Sequence, residues 1–112
     1  MKHSMKLRKI PFNKIKNGTK TIELRLLDEK RKLLKIKDEI EFTNIDTNET
    51  LLTIIEDLYK FDNFEELYKC FDKVFLGYDK DEEASYKDME DYYSKEEQKE
   101  YGVIGIKIKV LK

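Results

Sequence analysis

The chain has 112 residues, 39% of them hydrophobic and 42% charged, and a formal net charge of −1 at pH 7. Its length and its aromatic side chains (seven Tyr and six Phe) favour one folded domain over residues 1–112 and exclude a disordered tail. A single histidine, His3, and a single cysteine, Cys70, exclude an internal disulfide and argue against a zinc site, a Ser-His-Asp triad or a Cys-His pair.

No stretch approaches the roughly 20 apolar residues of a membrane span, and the first residues lack the apolar run of a secretory signal. One unpaired cysteine agrees with a reducing compartment. We therefore expect a cytoplasmic protein with no cofactor, no metal and no membrane association. The oligomeric state is left open.

The charge is distributed unevenly along the chain. Residues 1–37 hold thirteen Lys or Arg against three Asp or Glu, a net of +10, and residues 38–112 hold ten against twenty-one, a net of −11. The basic part is suited to a phosphate backbone. The alternative is that the two parts neutralise each other when they fold together.

The first elements are a short helix and a strand. Residues 11–18 predict a helix with Pro11 in its first turn and Gly18 as its stop, after an N-terminus that we expect to be frayed. Residues 19–26 then alternate with period two, which predicts a half-buried strand. Its polar face carries Thr21, Glu23 and Arg25.

The middle of the chain predicts two strands and a helix. A turn of helix and a loop are expected over 27–37, a strand with Ile40 and Phe42 inward over 38–44, and a central strand, apolar on both faces, over 49–60. A helix opens at Asp62 or Asn63. Cys70 is expected to fill space in the core beside it.

The last third predicts two helices and a closing strand. Residues 79–91 form a weakly amphipathic acidic pattern, Ser94 begins a capping box, and residues 103–110 alternate as a strand. This order of elements predicts an α+β fold: a small mixed sheet or β-barrel of about five strands with flanking helices.

The strongest chemical signal runs from Gly18 to Arg25. Lys20 and Arg25 supply cations, and Glu23 lies two residues before Arg25 on the same strand face, where it can orient the arginine or accept from a base amino group. The alternative is an ordinary polar strand face with a surface ion pair. Tyr92, Tyr93 and Tyr101 are candidates for stacking on a base, and also for ordinary ring burial.

The run of residues 15–25, Ile-Lys-Asn-Gly-Thr-Lys-Thr-Ile-Glu-Leu-Arg, resembles the signature of ASCH domains, which are relatives of the PUA RNA-binding fold. Residues 36–42 and 61–67 are similar to two further segments of that family, and residues 92–106 resemble the closing motif of a bacterial subgroup. The family usually has glycine where Lys37 precedes Asp38, so we expect an altered or looser turn there.

The resemblance implies a PUA-like barrel with flanking helices and a cleft lined by the region of Gly18 and Lys20. Our first hypothesis is that this basic cleft binds RNA or a modified nucleoside through Lys20, Thr21, Glu23, Arg25 and Tyr93. The resemblance also implies an alternative. Certain ASCH proteins are amidohydrolases that deacetylate N4-acetylcytidine without a metal, and their catalytic Lys is matched by Lys20. Glu23 stands where they have a Thr, so Lys20 and Glu23 are catalytic candidates only if the chain is such a hydrolase. A protein-interaction domain is the third hypothesis.

Overall fold

The computed structural model describes residues 1–111. In chain order its elements are β1 (Lys2–Leu7), α1 (Lys9–Lys16), β2 (Ile22–Leu26), a 3₁₀ turn (Arg31–Leu33), β3 (Glu39–Asn44), β4 (Thr50–Phe61), α2 (Phe64–Tyr68), a 3₁₀ helix (Tyr86–Asp91), α3 (Lys95–Tyr101) and β5 (Val103–Val110). The predicted α+β class is confirmed.

The five strands of residues 1–111 form one mixed sheet that curls into a half-barrel, with the order β1-β3-β4-β5-β2. β1 runs parallel to β3, and the other neighbours are antiparallel. β4 lies in the centre, as its apolar character on both faces predicts. An irregularity in the β4–β5 register between Ile55 and Asp57 bends this long strand, so that it can pair with β3 at one end and β5 along the rest.

Both faces of the sheet are covered, and β5 contributes buried residues to the hydrophobic cluster on each face. Alternate residues Ile104, Ile106 and Ile108 pack inside the half-barrel with α1. Val103 packs on the other side with α2 and β2. The fully buried side chains at the centre of these clusters include Phe12, Ile15, Ile40, Phe42, Ile55, Phe64 and Leu67.

The helix starts follow the expected capping chemistry. The side chain of Asn63 accepts a hydrogen bond from the backbone N–H of Glu66 and opens α2. Ser94 and Glu97 form the complete capping box of α3, with each side chain accepting from the other residue's backbone N–H. α3 ends at Tyr101, and Gly102, with φ +74°, is its C-cap.

The expectation of a frayed N-terminus is wrong. Residues 2–7 form the edge strand β1, in which Met5 and Leu7 are buried, and His3 Nε2 lies 2.9 Å from a carboxylate oxygen of Asp38. The strand is held by parallel pairing with β3, from Lys2 opposite Glu39 to Leu7 opposite Asn44.

Two further expectations are wrong. Residues 79–91 are not one helix, because only Tyr86–Asp91 are helical, and these form a 3₁₀ helix. Cys70 is exposed and does not fill the core, because α2 ends at Tyr68 and the helical spacing stops there. Phe71 takes the packing position instead, with its ring edge against Tyr59 and Phe61.

The turn before β3 keeps a glycine-like conformation although it has no glycine. Lys37 has φ +78°, in the left-handed region, and its N–H donates to the carbonyl of Ile55 at 2.8 Å. Lys37 therefore adopts a backbone conformation that favours glycine.

The two oppositely charged parts of the sequence pair with each other in the fold. Three lysines of the basic part form ion pairs with carboxylates of the acidic part: Lys2 with Glu41, Lys14 with Asp79, and Lys16 with Glu49. Three of the thirteen cationic side chains of the basic part are therefore paired with the acidic part.

Candidate functional site

A tight turn after α1 places Lys20. Gly18 has φ +87°, a conformation that side chains rarely adopt, and it lets the chain reverse at the helix end. The N–H groups of Thr19 and Lys20 then both donate to the carbonyl of Lys14 at 3.0 Å. The chain enters β2 immediately afterwards, so that turn and strand together fix the backbone on which Lys20, Glu23 and Arg25 stand.

These three side chains form one buried chain of charges. Lys20 Nζ lies 3.1 Å from Glu23 Oε1, and Nη2 and Nε of Arg25 donate to Glu23 Oε2 at 2.8 and 3.0 Å. Their side chains are 9%, 4% and 14% exposed, in chain order. Both carboxylate oxygens of Glu23 are therefore engaged by cations of the chain itself.

The electrostatics of Glu23 follow from two opposing effects. Burial alone would raise the pKa of its carboxyl group, but the charges and hydrogen bonds of Lys20 and Arg25 outweigh burial and lower this pKa below its ordinary value of 4.5. For Arg25, burial works against the charged form, yet Glu23 raises its pKa above the ordinary value. Glu23 and Arg25 are thus both charged at neutral pH.

Arg25 leaves part of its guanidinium free. Nη2 donates to the carbonyl of Lys6 as well as to Glu23, while within residues 1–111 no hydrogen-bond acceptor engages Nη1. Lys20 Nζ likewise contacts one carboxylate oxygen and has three N–H donors. Donors on both cations therefore remain for a ligand.

The charged chain lies in the wall of a cavity of about 550 Å³. The cavity is lined by residues from β1, α1, β2, α2, the turns that flank α1, and the segment 76–93: Lys6, Leu7, Arg8, Ile10, Pro11, Lys14, Lys20, Glu23, Leu24, Arg25, Tyr68, Leu76, Gly77, Tyr78, Asp79, Glu82, Asp88, Met89, Tyr92 and Tyr93. Five cationic and four anionic residues contribute to it, so the cleft is mixed in charge and not uniformly basic.

Gly77 closes the cavity against Lys20. It has φ +109°, and a Cβ at this position would lie 3.1 Å from Cδ and 3.6 Å from Nζ of Lys20. Lys14 holds the same segment, since its Nζ donates to the carbonyl of Gly77 at 2.7 Å and lies 3.0 Å from Asp79. A side chain at position 77 would thus compete with Lys20 for its place.

A second group of hydrogen-bonded side chains, here called the hydroxyl wall, lines the same cavity and consists of Tyr68, Tyr78 and Asp88. The hydroxyl oxygens of Tyr68 and Tyr78 are 2.9 Å apart, and the Tyr78 hydroxyl donates to Asp88 Oδ2 at 2.7 Å. Burial, followed by these hydrogen bonds, raises the pKa of Tyr78 far above its ordinary value, so the hydroxyl stays protonated. Its members share no spacing pattern, so the sequence alone does not indicate them.

The structure brings together most of the residues predicted for the site. Lys20, Glu23, Arg25 and Tyr93 line the cavity. Thr21 lies outside that lining within residues 1–111, and its N–H donates to the carbonyl of Phe75 at 3.0 Å.

The three candidate stacking tyrosines have different surroundings. Tyr93 already stacks on Phe64, with ring centroids 5.8 Å apart. Tyr92 lines the cavity and is 68% exposed, so a ring face of Tyr92 is open to a ligand. Tyr101 lies in a separate hollow of about 800 Å³ beside α3, among mostly exposed charged residues.

Residues 1–111 contain no helix long and apolar enough to cross a membrane. In the same residues, no three His, Cys, Asp or Glu side chains cluster as metal ligands would.

The fold and the site define a class: a small mixed half-barrel of the ASCH and PUA-like type, with flanking helices and a polar cavity at the helix–strand turn. The ASCH domain model matches residues 5–112. The chain belongs to the ASCH domain family.

Solved structures agree with this assignment. The crystal structure of hypothetical protein PH0355 superposes with a TM-score of 0.84 at 28% identity, covering 99% of this chain and 100% of that one. A Pyrococcus furiosus protein solved by NMR gives 0.72 at 28% identity over 100% and 99%. The ASCH protein from Zymomonas mobilis gives 0.70 at 13% identity over 96% of this chain and 66% of its own, a likeness of fold. A comparison with curated proteins gives no match.

Proposed function

We propose that this ASCH domain binds RNA, or a modified nucleoside, in the cavity of about 550 Å³ walled by Lys20, Glu23 and Arg25. One observation carries the proposal: a nearly fully buried Lys–Glu–Arg chain stands in the wall of a concave cavity with cationic donors left over. Buried charges of this kind are costly to maintain and are concentrated at functional sites.

The two cations have different recognition roles. Arg25 offers a planar guanidinium, fixed by Glu23 and the Lys6 carbonyl, which suits a phosphate or the edge of a base. Lys20 offers a compact ammonium for a phosphate or carbonyl oxygen. Glu23 holds both cations in place, and this pre-organisation lowers the entropy lost on binding.

The size and walls of the cavity fit a nucleoside. Small-ligand cavities measure about 300–1,000 Å³ and combine apolar walls with a few fixed polar groups. Leu24, Leu76 and Met89 supply apolar wall here, and Tyr92 offers an exposed ring for stacking. Tyr93, which stacks on Phe64, lies near Arg25.

Titration of nucleosides, nucleoside monophosphates and short RNA oligomers tests this proposal. We expect binding that weakens as salt is raised, because cations meet phosphate. Lys20→Ala and Arg25→Ala should each lower affinity at least about tenfold, the loss of one charge-assisted hydrogen bond. Lys107→Ala is the matched control, since Lys107 is an exposed lysine of β5 outside the cavity. Absent binding across the panel, or equal losses in all three variants, would refute the proposal.

Metal-free amide hydrolysis of an acylated nucleoside is the second candidate. The observation in its favour is the contact of Lys20 with Glu23 inside the cavity, which gives an amine and a carboxylate for proton transfer. Incubation with N4-acetylcytidine followed by chromatography tests it. Release of cytidine that disappears in Lys20→Ala supports hydrolysis, and no release excludes it for this substrate.

The hypothesis of a protein-interaction domain would use basic side chains of residues 1–37, three of which are already engaged within the chain. Lys2, Lys14 and Lys16 are paired with carboxylates of the same chain.

A further inference from the structure

Glu23 is poorly placed to read an amino group of the ligand. Its Oε1 contacts Lys20, its Oε2 accepts twice from Arg25, and its side chain is 4% exposed. If the proposed ligand is a nucleoside, an acceptor for its N–H donors must come from elsewhere in the cavity. This inference therefore rests on the proposed function and refines it.

The hydroxyl wall supplies such acceptors. Tyr78 has one hydroxyl proton, and the ionised carboxylate of Asp88, 2.7 Å away, is a stronger acceptor than the carbonyl of Ser85 at 3.1 Å. Because the single O–H of Tyr78 donates its hydrogen bond to Asp88, Tyr68 must be the donor in its 2.9 Å contact with Tyr78. The direction of donation is therefore from Tyr68 to Tyr78 and from Tyr78 to Asp88.

This direction of donation leaves only acceptors for a ligand. The hydroxyl oxygen of Tyr68 keeps its lone pairs, and within residues 1–111 no donor engages Oδ1 of Asp88. The raised pKa of Tyr78 keeps this direction fixed over the physiological pH range. The rings of Tyr68 and Tyr78 meet edge to face with centroids 6.0 Å apart, which holds the hydroxyls in position.

We propose that Tyr68, Tyr78 and Asp88 form a specificity wall that selects a nucleobase with an exocyclic amino group. The lining of the cavity then offers both polarities, with donors on Lys20 and Arg25 and acceptors on the specificity wall. A base such as cytosine matches both polarities, because its amino donor stands beside carbonyl and ring-nitrogen acceptors. Uracil has a carbonyl oxygen at the amino position and would face Asp88 with an acceptor.

Cytidine and uridine are the probes, since they differ only at this edge. We expect the wild-type chain to bind cytidine about tenfold or more tightly than uridine. In Asp88→Asn the amide oxygen accepts the hydrogen bond from Tyr78, and the amide NH₂ group then presents a donor to the ligand. The preference should then disappear or reverse toward uridine. Tyr68→Phe should reduce the preference without reversing it.

Asp81→Asn is the matched control, because Asp81 is an exposed carboxylate of the same segment outside the cavity. Thermal melts check that each variant is folded. If the wild type binds both nucleosides equally, the inference fails while the proposed function stands. If it binds neither these nor any other member of the panel, both fail. A cytidine preference that survives in both Asp88→Asn and Tyr68→Phe overturns the specificity wall.

Discussion

Replacement of Glu23 by glutamine removes the only carboxylate between two buried cations. Gln has nearly the same shape, so the change isolates the charge. Lys20 and Arg25, which lie 3.1 and 2.8 Å from the carboxylate in the native chain, would repel each other without a counter-charge. Because neither side chain is more than 14% exposed, water screens this repulsion poorly.

The expected loss in the free energy of unfolding is about 3 kcal/mol, the lower end of the range for removing one partner of a buried ion pair. The lower end applies because both cations have donors that reach the cavity. An unfolding entropy of about 2.1 cal/mol/K per residue gives roughly 0.24 kcal/mol/K for 112 residues, so Tm should fall by about 12 °C.

Urea and thermal unfolding at pH 7 measure this loss. Glu56→Gln is the control, because Glu56 is an exposed glutamate of β4, and it should change stability by no more than about 0.5 kcal/mol. Adding Lys20→Met to Glu23→Gln removes one of the two cations that lack a counter-charge, and it should recover part of the lost free energy of unfolding. A Glu23→Gln loss below about 1 kcal/mol would mean that the buried chain contributes no net stability.

The pH dependence provides a second check. The pKa of Glu23 is lower in the folded chain than its ordinary value of 4.5, so folding favours the ionised form. The contribution is therefore complete above the unfolded pKa and is lost as the pH falls through the folded pKa. The difference in stability between wild type and Glu23→Gln should be constant above about pH 5.5 and shrink on acidification. A difference that does not change between pH 7 and pH 3 would refute the assignment.

Three smaller perturbations test other features. Gly77→Ala should lower the free energy of unfolding by about 1–3 kcal/mol and weaken nucleoside binding, because the new Cβ meets Lys20. Gly18→Ala should lower stability alone, because Gly18 has φ +87° but a Cβ there would meet nothing within 4 Å beyond its chain neighbours in residues 1–111. Thermal melts and nucleoside titrations separate the two effects. Lys37→Gly should raise stability by about 1 kcal/mol in urea unfolding, since it relieves a residue at φ +78°. Cys70 should react with a thiol reagent in the native protein as fast as in urea, because it is exposed; slow native reaction would contradict its placement.

The sequence predicts the strands that alternate strongly and misses the one that does not. β3 and β5 have clear inward residues, such as Ile40, Phe42 and Ile106, and both were identified. β1 buries only Met5 and Leu7, and its stability comes from pairing with β3, more than thirty residues away. Non-local pairing of this kind leaves no signal in the local pattern.

The acidic segment 79–91 shows a related limit. Tyr86 and Met89 pack on the core cluster that contains Val103, and they are three residues apart. This spacing fits a 3₁₀ helix as well as an α-helix, so periodicity alone does not choose between them.

The candidate site was predictable only where it is local in sequence. Lys20, Glu23 and Arg25 lie within six residues of each other, and a turn followed by a strand brings them together. The specificity wall takes Tyr68 from α2, Tyr78 from a loop and Asp88 from a 3₁₀ helix. Only the packing of these elements across the cavity makes them neighbours.

Arg25 links the stability of the fold to the proposed binding site. β1 and β2 are the two end strands of the sheet, and the Nη2 of Arg25 on β2 donates to the carbonyl of Lys6 on β1 at 3.0 Å. The same guanidinium lines the cavity. A ligand that engages Nη1 would therefore fix the group that joins the two ends of the half-barrel. Since a ligand that binds only the folded state stabilises it in proportion to the logarithm of its concentration, protection of β1 from hydrogen exchange should rise with ligand.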